Sequence, residues 1–190
     1  GGLAGASIGL VRGLFRAKGA HAGKPESWAF THLEPTHARR VLPSFDEPDF
    51  KAPFQLTMSV PAHLTPISNM PATSSKVVDG RRITAFAETP RMSSYLLAVF
   101  AARLVASKVM AGRTELAVWT SQDKRGQAGF ALEVGKKAIK ALNSYFAYPY
   151  MLPKLDMVAS PDFASGAMEN WGAVLYRDSS LLVDRKLSSD

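Results

Sequence analysis

Near Val118 the spacing of apolar residues changes from two to between three and four, and this change restricts the possible folds more than any other feature of the chain. Residues 54–60, FQLTMSV, alternate strictly, with Phe54, Leu56, Met58 and Val60 on one side and Gln55, Thr57 and Ser59 on the other. A period of two marks a strand with one buried face. RRITAFA (81–87), SYLLAVFAARLV (94–105) and TELAVWT (114–120) read the same way, parted by the turn-rich PAHLTPISNMPATSS, ETPRMS and MAGR. Beyond them, SQDKRGQAGFALEVGKKAIKALNSYF carries Phe130, Val134, Ala138, Ala141, Leu142 and Tyr145 at helical spacing, with Lys136, Lys137 and Lys140 elsewhere. That pattern predicts an amphipathic helix over 126–147. Pro149 and Pro153 end it, and KLDMVA (154–159) and WGAVLYRD (171–178) read as strands. The expected class is α+β, with an all-β unit over 1–118 and the opening of an α/β unit over 119–190.

Composition narrows the function classes. With 190 residues and 46% hydrophobic content the chain can bury a core. The net charge of +7 invites a nucleic-acid partner. Its cations, however, stand in ones and twos, as in DKRG and GKKAIK, without interleaved aromatics, so a solvated helix face is expected and no nucleic acid. There is no Cys, which excludes disulfides and thiolate metal sites within this chain and allows a reducing compartment. No apolar run reaches the roughly 18 residues of a membrane span, so no membrane segment is expected. The chain starts at Gly1 without Met, and both ends are treated as possible truncations.

The most unusual short stretch is SGAMENWG, residues 165–172. Small Gly166 and Ala167 lead directly into Met168, Glu169, Asn170 and Trp171. One reading is a bulged strand end in which Gly166 relieves crowding and Glu169 is solvated. The other is an exposed strand edge that offers backbone groups to an extended peptide while Glu169 receives a cation such as an α-ammonium. A second carboxylate, Glu34, lies in the proline-rich passage LEPTHARRVLPSFDEPDFKAPF and is able to share that cation. Asp46, Glu47 and Asp49, around Pro48, read as turn formers.

These segments, taken in order, resemble the zinc aminopeptidase family that includes the membrane alanyl and the puromycin-sensitive aminopeptidases. The resemblance runs through GLFRAKG (13–19), THLEPTHARRVLPSFDEPDFKAPF (31–54), SNMP (68–71), TPRMSSYLLAVF (89–100), YPYMLPKLDMVASPDFASGAMENWG (148–172) and YRDSSLLVD (176–184). It implies part of a saddle-like all-β N-terminal domain over 1–118. Residues 119–190 are then the start of a thermolysin-like α/β catalytic domain, truncated before the zinc motif. It also implies that the backbone of Gly166, Ala167, Met168, Glu169 and Asn170 lies along a peptide substrate, that Glu169 holds the free N-terminal ammonium, and that Glu34 is a second anchor. His32 stands where family members commonly have Gln, beside the pocket for the first side chain. A titratable ring there either narrows that pocket and alters its pH response or is a buried structural residue.

The chemistry of the family needs zinc held by HExxH and a later Glu. The four histidines here, His21, His32, His37 and His63, have no such spacing. The resemblance places HExxH beyond Asp190, so no catalytic or metal residue is expected in this chain. It is expected to be inactive alone and to belong to an enzyme that binds zinc and removes N-terminal residues from peptides. The alternative is a non-catalytic module that binds peptide N-termini, or a scaffold relative. The compartment inferred from the missing Cys and from the look of FALEVGKK and LPKLDMVASPDF is the cytoplasm, with the plasma membrane left open.

Overall fold

A computed structural model describes residues 4–5 and 12–184. The first part of the chain forms β1 (Ala4–Gly5), β2 (Gly13–His21), β3 (Lys24–His32), β4 (Lys51–Ala52), β5 (Thr57–Pro61), β6 (Thr65–Ser68), β7 (Ala72–Val78), β8 (Arg81–Phe86), β9 (Met92–Ser93) and β10 (Val99–Ala102). The second part forms β11 (Val105–Ala111), β12 (Thr114–Thr120), α1 (Gly129–Tyr145), β13 (Lys154–Ser160), β14 (Ala167–Met168), β15 (Ala173–Arg177) and α2 (Asp178–Leu181). Two five-stranded sheets dominate, ordered β1-β2-β3-β10-β6 and β11-β12-β13-β15-β14, with a small β5-β8-β7 sheet and a β4-β9 pair beside them.

The alternation of residues 54–60 is seen as expected: Met58 and Val60 are buried while Gln55, Thr57 and Ser59 are exposed. SYLLAVFAARLV, in contrast, is not one strand. Ser94–Leu96 form a 3-10 turn, β10 pairs with β6 and β3, and β11 starts in the other sheet. The chain thus changes sheets between Ala102 and Val105, and position 118 falls inside β12. Periodicity cannot register this step, because strands on either side of it share a period of two. The passage read as turn-rich, 61–75, also contains β6 and the start of β7.

The second sheet is mixed. β11 and β12 form an antiparallel hairpin, α1 follows as the crossover to β13, which runs parallel to β12, and β15 runs parallel to β13. A parallel strand is covered on both faces, and β13 shows this directly. Met157 and Ala159 pack with Leu116, Val118, Ala131 and Ile139 under α1, while Val158 joins Phe15, Phe30 and Phe100 of the first sheet. The two large sheets therefore share one apolar core.

α1 lies on its sheet through small residues. Ala131 and Ile139 are buried, and at Gly135 an added Cβ would lie 3.0 Å from Leu116 and 3.2 Å from Met157. The stripe picked out by spacing, Phe130, Val134, Leu142 and Tyr145, is exposed instead. Helical spacing marks both faces as apolar; close approach to the sheet selects the smaller one.

Candidate functional site

After β13 the chain turns at Pro161, and the Asp162 carboxylate accepts from the Lys18 backbone N–H at 2.6 Å. Phe163 is buried against Phe15, with ring centroids 6.2 Å apart, and meets the His32 ring edge-on at 5.2 Å. The Arg177 side chain donates to the carbonyls of Phe163 and Ala164, and the Arg177 backbone N–H donates to Gly166 O at 3.0 Å. β14 then pairs antiparallel with β15, Ala167 opposite Tyr176 and Met168 opposite Leu175, and is the last strand of its sheet. Among the described residues its other edge carries no strand, which is the arrangement an added peptide strand uses.

Side chains alternate along this edge. Ala167 and Glu169 are exposed, Met168 and Asn170 are fully buried, and Trp171 is 38% exposed. Met168 anchors the segment in the shared core. Glu169 has no hydrogen bond or ion pair among the described residues, so its carboxylate faces solvent unpaired. The Asn170 amide donates to Leu96 O and Leu97 O at 3.2 and 3.3 Å, while its Oδ1 has no partner among the described residues. Gly172 adopts φ +72°, and an added Cβ would stand 2.2 Å from the Asn69 carbonyl oxygen. Only glycine tolerates both the backbone angle and that approach.

Glu34 lies two residues past the end of β3. Leu33 is buried with Leu96 and Leu97, whereas the Glu34 side chain is 52% exposed, and the Glu34–Pro35 peptide bond is cis. His32 Nε2 lies 4.0 Å from the Glu34 carboxylate, and the His32 side chain is largely buried against Phe163. The Leu96–Leu97 turn is thus shared ground: Leu33 packs on it, Thr31 Oγ1 donates to Leu97 O, and Asn170 grips both carbonyls from the other side. No hydrogen bond joins Glu34 to Glu169.

The turn after Glu34 is held by Asp46, whose side chain is fully buried. Burial works to raise its pKa, but the Ser94 hydroxyl, the Arg39 backbone N–H at 2.9 Å and the Arg39 guanidinium outweigh it and hold the carboxyl below its usual value. Asp46 therefore does more than form a turn. His37, nearby, is held below the usual histidine value by burial and by the cations Arg12 and Arg40.

Residues that sequence reasoning left out lie behind SGAMENWG. Asn69 donates to Leu96 O and Trp171 O, both at 2.8 Å, and accepts from the Ala98 N–H. Lys154 Nζ donates to Ser68 O, Asp156 Oδ2 and Gly172 O at 2.8, 2.6 and 2.8 Å. SNMP, which carries Asn69, is one of the matching motifs but implies no role there, and the Lys154–Asp156 spacing on one strand face is the local signal for the other pair. Among the described residues no group of three or more His, Cys, Asp or Glu is placed to hold a metal ion.

Comparison with known proteins agrees with this arrangement. Residues 9–96 match the Peptidase M1 N-terminal domain, and residues 130–190 match the Peptidase family M1 domain. The chain is 44% identical to Aminopeptidase M1-B of Oryza sativa subsp. japonica over 181 residues, which is 94% of this chain and 21% of that protein. It is 41% identical to Aminopeptidase M1 of Arabidopsis thaliana, over 94% of this chain and 20% of that protein. It is also 41% identical to Puromycin-sensitive aminopeptidase of Caenorhabditis elegans, again over 94% of this chain and 19% of that protein. The chain spans about a fifth of the length of the curated relatives it matches. With both matches in one order, over an all-β unit and the sheet that follows it, this chain belongs to the M1 peptidase family, matching its N-terminal domain over residues 9–96 and the start of its catalytic domain over residues 130–190.

Proposed function

We propose that this chain is the substrate-N-terminus-binding part of a zinc aminopeptidase that releases the first residue of peptides. The observation that carries the reading is Glu169: an exposed carboxylate, unpaired among the described residues, directly after the edge strand β14 and between the buried Met168 and Asn170. A peptide laid along the free edge meets backbone groups of Gly166, Ala167, Met168 and Asn170, and its α-ammonium meets Glu169 in a charge-assisted hydrogen bond. Glu34 acts as the second anchor, with His32 beside the first side chain. Two anions at fixed depth confine cleavage to the first peptide bond.

The described residues do not fit a zinc site, so no step of the reaction is assigned to them and the chain by itself is inactive in this reading. Zinc is held by residues outside the described part. We divide the chain at the change of sheet near residue 104 rather than at 118. The absence of Cys supports the cytoplasm as the compartment, and no described helix is long and apolar enough to cross a membrane.

The test uses a longer chain that carries this sequence together with HExxH. Removing one partner of a buried, hydrogen-bonded charge pair costs about 2–5 kcal/mol, or a loss of about 30-fold to several-thousand-fold. Glu169→Gln is expected to lower kcat/KM by that much on peptides with a free N-terminus, with zinc content unchanged, and Glu34→Gln by less. Equal slowing of free and N-acetylated substrates, or loss of zinc, would make Glu169 structural or catalytic. A longer chain that binds free N-termini without hydrolysing them would instead support the non-catalytic module.

A further inference from the structure

Glu169 is held from both sides, and on its N-terminal side Met168 is buried in the shared core while β14 pairs with β15. β14 is only two residues long, and an added Cβ on Gly166 would touch nothing within 4 Å. On its C-terminal side Asn170, Trp171 and Gly172 are tied to three other segments, residues 96–97, residue 69 and residues 154–156, where the Asp156 backbone N–H also donates to Gly172 O at 3.0 Å. Asn69 holds Trp171 O, Lys154 holds Gly172 O, and Asn170 holds the carbonyls of Leu96 and Leu97.

We propose that Lys154 and Asn69 are positioning residues: they latch residues 170–172 to the end of β6 and to the Leu96–Ala98 segment, and so set where Glu169 stands relative to Glu34. This rests on the reading of Glu169 as the ammonium anchor. An ammonium has three N–H donors, and all three of Lys154 are used, two of them on carbonyls of the segments being joined, Ser68 and Gly172. Burying a cation is costly even when paired, and a pair of similar-sized apolar residues usually serves stability as well or better. What such residues cannot do is hold two carbonyls at fixed distance. The buried charge is therefore matched to geometry across the two sheets more than to stability. Asn69 repeats the pattern with a neutral group, spending both its amide donors on carbonyls, Leu96 on one side and Trp171 on the other.

The latch predicts a loss of discrimination, not of binding as such. Amide chemical shifts of the 190-residue chain are followed by NMR while Ala-Ala-Ala amide, or its N-acetyl form, is added. The variants are Lys154→Met with Asp156→Asn, which removes both buried charges together, the milder Asn69→Ser, and Glu169→Gln. The unaltered chain is expected to prefer the free amine, and Glu169→Gln to abolish that preference. Each latch variant is expected to reduce the preference about tenfold or more, towards the Glu169→Gln value, while still binding the acetylated peptide as the unaltered chain does. A merely structural role would weaken both peptides alike and leave their ratio unchanged, which would overturn the proposal while the anchor reading stands. Failure of both latch variants to fold, with amide dispersion lost, would assign the network to stability and overturn it too. If the unaltered chain shows no preference for the free amine, the anchor reading fails and the latch proposal with it.

Discussion

The two carboxylates proposed to share one ammonium are mounted in opposite ways. Glu34 sits on a turn fastened by charges at the surface: Asp46 is buried, but the Arg39 it binds is half exposed and also reaches exposed Glu47 at 2.9 Å. Glu169 sits on a segment fastened from inside by Asn69, Asn170 and a Lys154–Asp156 pair whose side chains are 9% and 6% exposed. Salt screens exposed charge pairs much more than buried ones. The proposed principal anchor thus hangs on a buried network, and its proposed helper on a turn whose charges are partly exposed to solvent.

That contrast is broken most severely at Gly172. Gly172→Ala forces a side chain into left-handed backbone, which costs about 1–2 kcal/mol, and drives its Cβ into the Asn69 carbonyl, an overpacking cost of about 1–3 kcal/mol. A combined loss of roughly 2–5 kcal/mol in urea unfolding is expected, with the largest amide shifts at 68–70 and 169–173. A stable variant with those shifts unchanged would show that the Glu169 side of the comparison is looser than described.

Asp46 sharpens the Glu34 side. Asp46→Asn weakens hydrogen bonds from Ser94 and Arg39 and is expected to cost about 1–3 kcal/mol, with increased amide exchange confined to the 33–46 turn. The same carboxyl has its pKa lowered on folding, so the folded state binds its proton less readily than the unfolded chain. Its contribution is complete above the ordinary aspartate value of about 4 and is lost as pH falls below it through the folded value. Amide exchange at low pH should therefore loosen residues 33–46 before 168–172. The opposite order would contradict the contrast. The smallest effect belongs to Arg39→Met: the guanidinium is exposed, so the melting temperature should fall only slightly, and that difference should vanish in high salt.

Much of this organisation was readable in the sequence because it depends on local periodicity. A period of two at Phe54–Val60 and of three to four at 130–145 fixed strand and helix, and the ordered motifs fixed the family and picked out Glu34, His32 and Glu169. The hairpin of β2 and β3 was missed, although its register runs unbroken from Gly13 opposite His32 to His21 opposite Lys24. The boundary near 118 came from the place where the period changes. The chain enters the second sheet earlier, at Val105, because two strands of one period belong to different sheets only by their long-range partners. Likewise, spacing made α1 apolar on more than one side, and contact with Leu116 and Met157 decided that the face with Gly135 lies inward. The latch shows the same division. The Lys154–Asp156 pair is local, two residues apart, but the carbonyls that Lys154 and Asn69 reach lie 18 to 102 residues away along the chain. What the sequence determined by itself was what each segment is, through side-chain periodicity and motif; what the tertiary structure alone decided was which carbonyls those buried donors reach, because that depends on folding distant strands against one core.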